Sequence, residues 1–170
     1  MKIFLDTADV YAIKDYYETG LIDGVTTNPT LIKKSRRNPL DVYQQIKDIG
    51  VPDISMEVMG DTKEMVSEGN TLFQTFGDVA TIKVPCTRDG LKACKELSDV
   101  GIKVNVTLIF SMPQAVLAAK AGATYVSPFV GRLDDQQVAG LEVVRGISDL
   151  YRIHGIRTQI LSASIRTVQR

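Results

Sequence analysis

The amine-bearing residue Lys83 lies within a mainly apolar segment, Val79–Pro85. If this run is a strand, Thr81 and Lys83 share one face, while Ile82 and Val84 lie on the other. Removing an ammonium from water destabilises it, so an inward-facing lysine is expected to have a lowered pKa and a nucleophilic neutral amine. Such an amine suits Schiff-base catalysis. The alternative is a solvated lysine on an edge strand.

Two carboxylates occupy comparable places in other apolar runs. Asp6 follows Ile3-Phe4-Leu5, and Glu57 lies between Met56 and Val58. Each could be a helix cap or a surface acid, the usual fate of a charged residue. An acid flanked by apolar strand residues needs a partner, however, and the interior lysine is the obvious one. Two carboxylates near one amine could transfer protons in both directions.

Uncharged polar side chains recur at the predicted strand ends. The Pro in Thr-Thr-Asn-Pro must end the second run, which leaves the preceding Asn with an amide that can donate and accept hydrogen bonds. Each such residue alone could be an ordinary strand residue. Together they offer the hydrogen-bonding groups that a polyol needs, at Thr26, Asn28, Asn105, Thr107 and Ser127.

Cationic residues appear late in the chain. Arg132 follows the sixth run, and Ser164-Ile165-Arg166 ends the seventh and begins a predicted helix, Ile165–Arg170. Two guanidinium groups, a hydroxyl and a helix N-terminus could form a phosphate site. The alternative is a pair of surface arginines.

The elements that must position these residues alternate regularly. Helical spacing separates the apolar runs, and capping residues precede several helices: Asp9, then Asp61 or Thr62, then Thr87 and Ser111. Alternating units predict parallel strands with right-handed crossovers, typical of a TIM barrel, although a doubly wound sheet remains open. The predicted strands are Lys2–Thr7, Gly24–Asn28, Ile54–Met59, Ala80–Pro85, Lys103–Ile109, Thr124–Val130 and Thr158–Ser164.

This count is one short of the eight strands of a TIM barrel. We therefore expect a single α/β domain over residues 1–170 that lacks its last strand and C-terminal helices through truncation.

Composition restricts the partners. The chain has 20 Lys and Arg and 20 Asp and Glu, so no global field favours nucleic acid or an anionic membrane. No apolar run has the length of a membrane span, and the carboxylates in MKIFLDTADV argue against a signal peptide. Cys86 and Cys94 fit neither a disulfide framework nor a zinc motif, which predicts thiols in a reducing cytoplasm. A single histidine argues against a multi-histidine metal site.

Six segments in order, LDTAD, GVTTNPTL, IKVPCT, NVTLIFS, SPFVGR and SASIRT, resemble the signature segments of transaldolases. The short loops resemble the small subfamily that also contains fructose-6-phosphate aldolase. The resemblance implies a (β/α)8 TIM barrel and class I aldol chemistry on sugar phosphates, without metal or cofactor. It also implies a homo-oligomer in the full-length form and a place in the pentose phosphate pathway.

The resemblance also assigns roles to individual residues. Lys83 matches the Schiff-base lysine, and Asp6 matches the carboxylate that handles the hydroxyl proton during cleavage. Glu57 and Thr107 match the pair that holds a water used in imine formation. The sugar pocket matches Thr26, Asn28, Asn105 and Ser127, and the phosphate binders match Arg132, Ser164 and Arg166.

Two positions bear on the outcome of the reaction. Where fructose-6-phosphate aldolases carry a glutamine and a tyrosine, this chain has Glu57 and Phe129. A phenylalanine cannot position a water that protonates the enamine, so the resemblance favours transfer of the three-carbon unit over its release. The alternatives are an aldolase that releases free dihydroxyacetone and a non-catalytic fragment that binds sugar phosphates.

Overall fold

The computed structural model describes residues 1–167, in which parallel strands alternate with helices. The strands are β1 (Phe4–Asp6), β2 (Gly24–Thr26), β3 (Ile54–Glu57), β4 (Ala80–Pro85), β5 (Lys103–Ile109), β6 (Tyr125–Pro128) and β7 (Gln159–Ile160). The helices are α1 (Val10–Tyr17), α2 (Pro29–Ser35), α3 (Pro39–Ile49), α4 (Thr62–Phe76), α5 (Arg88–Asp99), α6 (Met112–Lys120), α7 (Val130–Asp135) and α8 (Gly140–Ile153).

The chain falls into two compact units. The first consists of Met1–Val58 and Ser67–Lys83, and the second of Met59–Val66 and the chain from Val84 onward. Strand β4 therefore begins in the first unit and ends in the second, with Lys83 as the last residue of the first.

The first unit is built on parallel ladders between consecutive strands. Leu5 lies opposite Val25, Val25 opposite Ile54, and Glu57 opposite Lys83. Parallel strands need crossover connections, and helices α1 to α4 provide them. The apolar side chains of these elements form a core in which Ile13, Val25, Val42, Ile46, Ile54, Met56 and Ile82 are fully buried.

The second unit has parallel ladders between β5, β6 and β7. Asn105 lies opposite Tyr125, and Tyr125 opposite Gln159. The register between β5 and β6 shifts between Val106 and Ile109, so that Ile109 lies opposite Pro128. Leu108, inside this irregularity, has a φ of 61°, a left-handed conformation that is uncommon for a branched residue.

The predicted fold class is confirmed: the chain is an α/β protein with the succession of parallel strands and helices of a TIM barrel, and residues 1–167 supply seven of the eight strands. All seven predicted strands are present. The first three and the last two are shorter than predicted. At the end of β2 the reason is visible, because Asn28 caps α2 instead of continuing the ladder.

Four predicted helix starts are confirmed. The side chains of Asp9, Thr87 and Ser111 accept hydrogen bonds from the first turns of α1, α5 and α6. Asp61 and Glu64 exchange hydrogen bonds with each other's backbone N–H, at 2.9 and 2.8 Å, which is a capping box at the start of α4.

Other predictions were incomplete or wrong. Two helices, not one, separate β2 from β3 and β6 from β7, because Asn38-Pro39 starts a new helix and Gly140 another. The helix predicted over Ile165–Arg170 is absent from Ile165–Thr167, and Val168–Arg170 lie outside the described residues.

Candidate active site

Lys83 is the centre of a polar cluster in the first unit. The residue is 6% exposed, and Nζ lies 2.9 Å from Oε2 of Glu57 and donates to the backbone oxygen of Thr27 at 3.0 Å. The register that sets Glu57 opposite Lys83 brings the two side chains together on adjacent strands. A buried ammonium without partners is costly, and here both a carboxylate and a carbonyl compensate it. The prediction that Lys83 faces inward is confirmed.

The backbone carbonyl of Thr27 accepts the hydrogen bond from Lys83, and sequence reasoning did not identify this residue. Its side chain is fully buried, and Oγ1 donates to the backbone oxygen of Ser55 at 2.9 Å. The backbone N–H of Thr27 donates to the same oxygen at 3.1 Å. The signal was present in the sequence: Thr27 lies between two residues assigned to the pocket and just before the Pro that ends β2.

Tyr43 of α3 is a second residue that sequence reasoning missed. Its hydroxyl lies 3.5 Å from Oγ1 of Thr27, and its ring packs edge-on against Phe76 with centroids 5.9 Å apart. Burial raises the pKa of Tyr43, the hydrogen bond from Thr27 lowers it, and the charges of Glu68 and Glu57 raise it. Tyr43 therefore stays a neutral phenol at neutral pH.

Asp6 and Thr26 are brought together at the carboxyl ends of β1 and β2. They lie opposite each other in the ladder, and Oγ1 of Thr26 donates to Oδ1 of Asp6 at 2.9 Å. The expected pairing of a carboxylate with the interior lysine is therefore realised by Glu57, while the bond made by Asp6 is to Thr26. Asp6 is exposed and accessible to a ligand.

Asn28 caps α2. Its Oδ1 accepts from the backbone N–H of Leu31 at 3.0 Å, which orients the side chain and leaves its amide hydrogens for other partners. The residue is partly buried at the end of β2. An amide fixed in this way can donate to a ligand hydroxyl.

In the second unit, Asn105 and Ser127 form a buried pair. Both are almost fully inaccessible, and Oγ of Ser127 donates to Oδ1 of Asn105 at 2.9 Å. They lie on adjacent parallel strands, β5 and β6. The structure therefore brings together two of the residues that were predicted to line a sugar pocket.

Thr107 is 1% exposed, and its Oγ1 has no hydrogen-bond partner within residues 1–167. The next residue is the left-handed Leu108, at the irregularity of the β5–β6 ladder. Buried hydroxyls are nearly always paired, so this group is available to a water or ligand oxygen. Backbone strain beside an unpaired polar group is typical of functional sites.

Phe129 lies between the end of β6 and the start of α7, and Arg132 lies in α7. The ring of Phe129 is tilted against that of Phe110, with centroids 6.0 Å apart. The guanidinium of Arg132 lies 4.8 Å above the centre of the Phe129 ring, which is a cation–π contact. This contact does not use the N–H groups of the guanidinium as hydrogen-bond donors. Arg132 is exposed, so it can meet an anion from solvent.

Ser164 and Arg166 lie beside α7. The backbone oxygen of Ser164, which has a φ of 58°, accepts from the N–H of Gly131 at 2.9 Å. A Cβ at Gly131 would approach that oxygen to 2.4 Å, so only glycine permits this packing. Arg166 is ion-paired with Asp135. The helix N-terminus predicted beside Ser164 is absent from the described residues, so the predicted phosphate site lacks that component.

The described part of the chain offers neither a metal site nor a reactive thiolate. No cluster of three or more His, Cys, Asp or Glu side chains able to hold a metal occurs there. Burial raises the pKa of Cys86, and it raises the pKa of Cys94 to about 12, so both thiols are protonated at neutral pH. No helix in residues 1–167 is both long and apolar enough to cross a membrane.

The chain is similar to known proteins along almost its whole length. The family described as "Transaldolase/Fructose-6-phosphate aldolase" matches residues 3–170. Proteins named "Probable transaldolase" from Ruegeria sp. (strain TM1040) and Paracoccus denitrificans are each 52% identical over 169 residues, which is 99% of this chain and 77% of theirs. A protein of the same name from Nitrosopumilus maritimus is 52% identical over 168 residues, 98% of this chain and 75% of its own.

Proposed function

Because the chain belongs to the transaldolase/fructose-6-phosphate aldolase family, we propose that it is a transaldolase. The reaction is the reversible transfer of a dihydroxyacetone unit from a ketose phosphate to an aldose phosphate. The donors are sedoheptulose 7-phosphate or fructose 6-phosphate, and the acceptors are glyceraldehyde 3-phosphate or erythrose 4-phosphate, as in the pentose phosphate pathway. The observation that carries this proposal is the buried Lys83 with its two fixed partners.

Schiff-base formation starts at Lys83. A lysine must lose a proton before it attacks a ketone, and Oε2 of Glu57 lies 2.9 Å from Nζ, within reach of direct proton transfer. The amine adds to the ketone carbon, and a proton delivered to the resulting hydroxyl releases water and leaves a protonated imine. The carbonyl of Thr27 keeps Nζ in place throughout.

Carbon–carbon cleavage follows, with the imine as the electron sink. Asp6 takes the proton of the C4 hydroxyl, the C3–C4 bond breaks, the aldose phosphate leaves, and an enamine stays on Lys83. Thr26 orients Asp6 through its 2.9 Å hydrogen bond. The enamine then attacks the acceptor aldehyde, and hydrolysis of the new imine returns the amine.

The remaining polar groups are assigned to substrate and water. Thr107, whose hydroxyl is buried and unpaired in the described structure, holds the water of imine formation and hydrolysis. The amides of Asn28 and Asn105 and the hydroxyl of Ser127 bind sugar hydroxyls. The phosphate is bound by Arg132, Ser164 and Arg166; because Arg166 is paired with Asp135, phosphate must displace that carboxylate or share the guanidinium.

Transfer is favoured over release of free dihydroxyacetone. Phe129 presents an apolar ring at the start of α7 and no hydroxyl to position a water that protonates the enamine. The similar proteins named above also carry the transaldolase name. We further propose a reducing, cytoplasmic location, supported by the two free thiols, and a homo-oligomeric full-length form.

Borohydride trapping with fructose 6-phosphate tests the proposal directly. A reduced three-carbon adduct on the peptide that contains Lys83 is the expected result, read by intact mass and peptide mapping. The Lys83→Met variant is the control and should give no adduct. Folded wild-type protein that forms no adduct would contradict the proposed function. Accumulation of free dihydroxyacetone without an acceptor would instead indicate the aldolase.

A further inference from the structure

A cavity of about 320 Å³ opens within the first unit and shares Glu57 with the Lys83 pair. Helices α2, α3 and α4 contribute its apolar walls of proline, leucine and isoleucine side chains. Its polar lining consists of three cations, one phenol and two carboxylates, at Lys33, Arg36, Arg37, Tyr43, Glu57 and Glu68. None of the steps proposed above uses the three cations.

The cations converge because of how α2 ends. Arg36 follows the helix with a φ of 55°, and this left-handed residue turns the chain sharply before Asn38 caps α3. Lys33, in the last turn, and the two arginines thereby line one cavity. Within residues 1–167 no ion pair involves any of the three. A helix C-terminus attracts cations but does not by itself gather three around one cavity.

Tyr43 supplies a buried donor to the same cavity. It is 5% exposed, and its hydroxyl lies 3.5 Å from Oγ1 of Thr27, whose proton is donated to the backbone oxygen of Ser55. Because this contact with Thr27 is long, the phenol proton is available to a closer ligand oxygen. Of the two carboxylates, Glu57 is compensated by Lys83, and burial raises the pKa of Glu68. The three cations therefore outweigh the negative charge.

We propose that this cavity binds the phosphate group of a small molecule, held by Lys33, Arg36 and Arg37 at the end of α2 and by the hydroxyl of Tyr43. The residues differ from those assigned to the sugar-phosphate end of the substrate. Either free phosphate or the phosphate of a sugar ester provides this chemistry, and 320 Å³ is enough for a small phosphate ester.

Occupancy of this site affects Lys83, an effect that rests on the proposed function. Glu57 lines the cavity and contacts Nζ at 2.9 Å, so a bound dianion adds negative charge close to the amine. Negative charge favours the protonated amine over the neutral nucleophile. Phosphate should therefore slow Schiff-base formation without occupying the sugar pocket.

Binding is tested first, in a background with Lys83→Met and Glu57→Gln, which cannot form a Schiff base and leaves no unpaired Glu57 carboxylate in the cavity. Two variants of this protein are compared. The cavity variant carries Lys33→Ala and Arg37→Ala, and the control variant carries Lys34→Ala and Arg152→Ala. Inorganic phosphate is titrated into each by calorimetry. The second pair removes the same charge from exposed positions outside the cavity. The cavity variant should bind phosphate about tenfold more weakly than the control. Equal affinities would overturn the proposal.

The same background identifies the source of the phosphate. Fructose 6-phosphate is added to protein saturated with inorganic phosphate, and release of phosphate is followed by its ³¹P signal. If fructose 6-phosphate displaces phosphate from the control variant but not from the cavity variant, the site binds a sugar phosphate. If phosphate stays bound to the control variant, the site binds the free ion. Displacement that is identical in the cavity and control variants contradicts a phosphate site in this cavity.

The coupling is tested with both Lys83 and Glu57 restored. Borohydride trapping of dihydroxyacetone, which carries no phosphate, should be slowed by inorganic phosphate in the control pair and not in the cavity pair. Equal slowing in both pairs overturns the coupling. If neither pair forms an adduct, the proposed function fails, while the calorimetric result on phosphate binding stands independently.

Discussion

The polar cluster around Lys83 and the buried polar residues of the second unit, Asn105, Thr107 and Ser127, differ in how far their hydrogen bonds are satisfied without a ligand. Lys83 has a carboxylate and a carbonyl as partners, and Thr27 beside it is bonded to Ser55. Thr107 is as deeply buried, yet its hydroxyl is the one buried side-chain oxygen or nitrogen in residues 1–167 without a partner. The first cluster is fixed before substrate arrives, and the second has an open hydrogen-bonding position.

The ladders explain this difference. Between β3 and β4 the register is regular, so Glu57 and Lys83 stand side by side. Between β5 and β6 it shifts next to Thr107, where Leu108 is left-handed, and no cross-strand neighbour is supplied to the hydroxyl. Regular pairing satisfies polar groups within the protein, whereas an irregularity leaves one for a ligand.

Removing Lys83 should have the largest effect. Lys83→Met should abolish turnover, a loss of about 10⁴-fold or more, because no other group provides the covalent attachment. The fold should persist, since the methionine fills similar volume. Stability at neutral pH should fall, because Glu57 then lacks its buried partner. Steady-state kinetics and thermal unfolding measure the two effects.

A double variant separates the causes. Adding Glu57→Gln to Lys83→Met should recover most of the lost stability but none of the activity. Unchanged stability in the single variant would mean that the Lys83–Glu57 pair contributes nothing to folding. Wild-type rates would rule out Lys83 as the nucleophile.

Changing Glu57 alone should have the next largest effect. Glu57→Gln keeps a hydrogen-bond acceptor near Nζ but removes the proton acceptor, so turnover should fall by about 10²- to 10³-fold. KM should change little, because the ketone itself is not held by this carboxylate. The rate of borohydride trapping on Lys83 measures the step directly. An unchanged trapping rate would assign the proton transfer to another group.

A matched pair of isosteric substitutions tests the comparison itself. Thr27→Val removes the hydrogen bond to Ser55 and should lower the free energy of unfolding by about 1–2 kcal/mol. Thr107→Val removes a hydroxyl with no partner and should leave stability unchanged or raise it, while activity falls. Denaturant unfolding and kinetics of both variants give the answer. Equal losses of stability would show that the two clusters are alike.

Thiol labelling gives the smallest expected effect and tests whether the second unit is closed. Cys94 is fully buried, its Sγ donates to the backbone oxygen of Ala121 at 3.6 Å, and its pKa is raised to about 12. Alkylation at about pH 8 should therefore modify the partly exposed Cys86 before Cys94. Equal rates would mean that this interior opens readily, so that solvent could satisfy Thr107.

The raised pKa of Cys94 also sets a pH dependence. Between the unfolded value of about 8.5 and the folded value of about 12, only the unfolded thiol loses its proton. The stability contributed by the protonated thiol is full below that window and declines as pH rises through it. Cys94→Ala should flatten this decline in alkaline unfolding curves. An identical decline in the variant would assign it to other groups.

The alternation of strands and helices and the inward face of Lys83 could be predicted, because both follow from local periodicity. The extra helices α2 and α7 could not, since six or seven residues are too few for a periodic signal. Among the candidate residues, Glu57 was identified and Thr27 was not. An unusual carboxylate within an apolar run is visible in a sequence, whereas a backbone carbonyl that accepts a hydrogen bond is not.

By itself the sequence determined the α/β class, the order of the strands, the caps that start several helices and the family. These depend on residue types at short spacing and on segments that can be compared one by one. Only the tertiary structure decided that Lys83 pairs with Glu57 while Asp6 is bonded to Thr26, that Arg166 is held by Asp135, and that Thr107 stays unpaired. Those outcomes depend on strand register and backbone conformation between residues far apart in the chain, which no local pattern encodes.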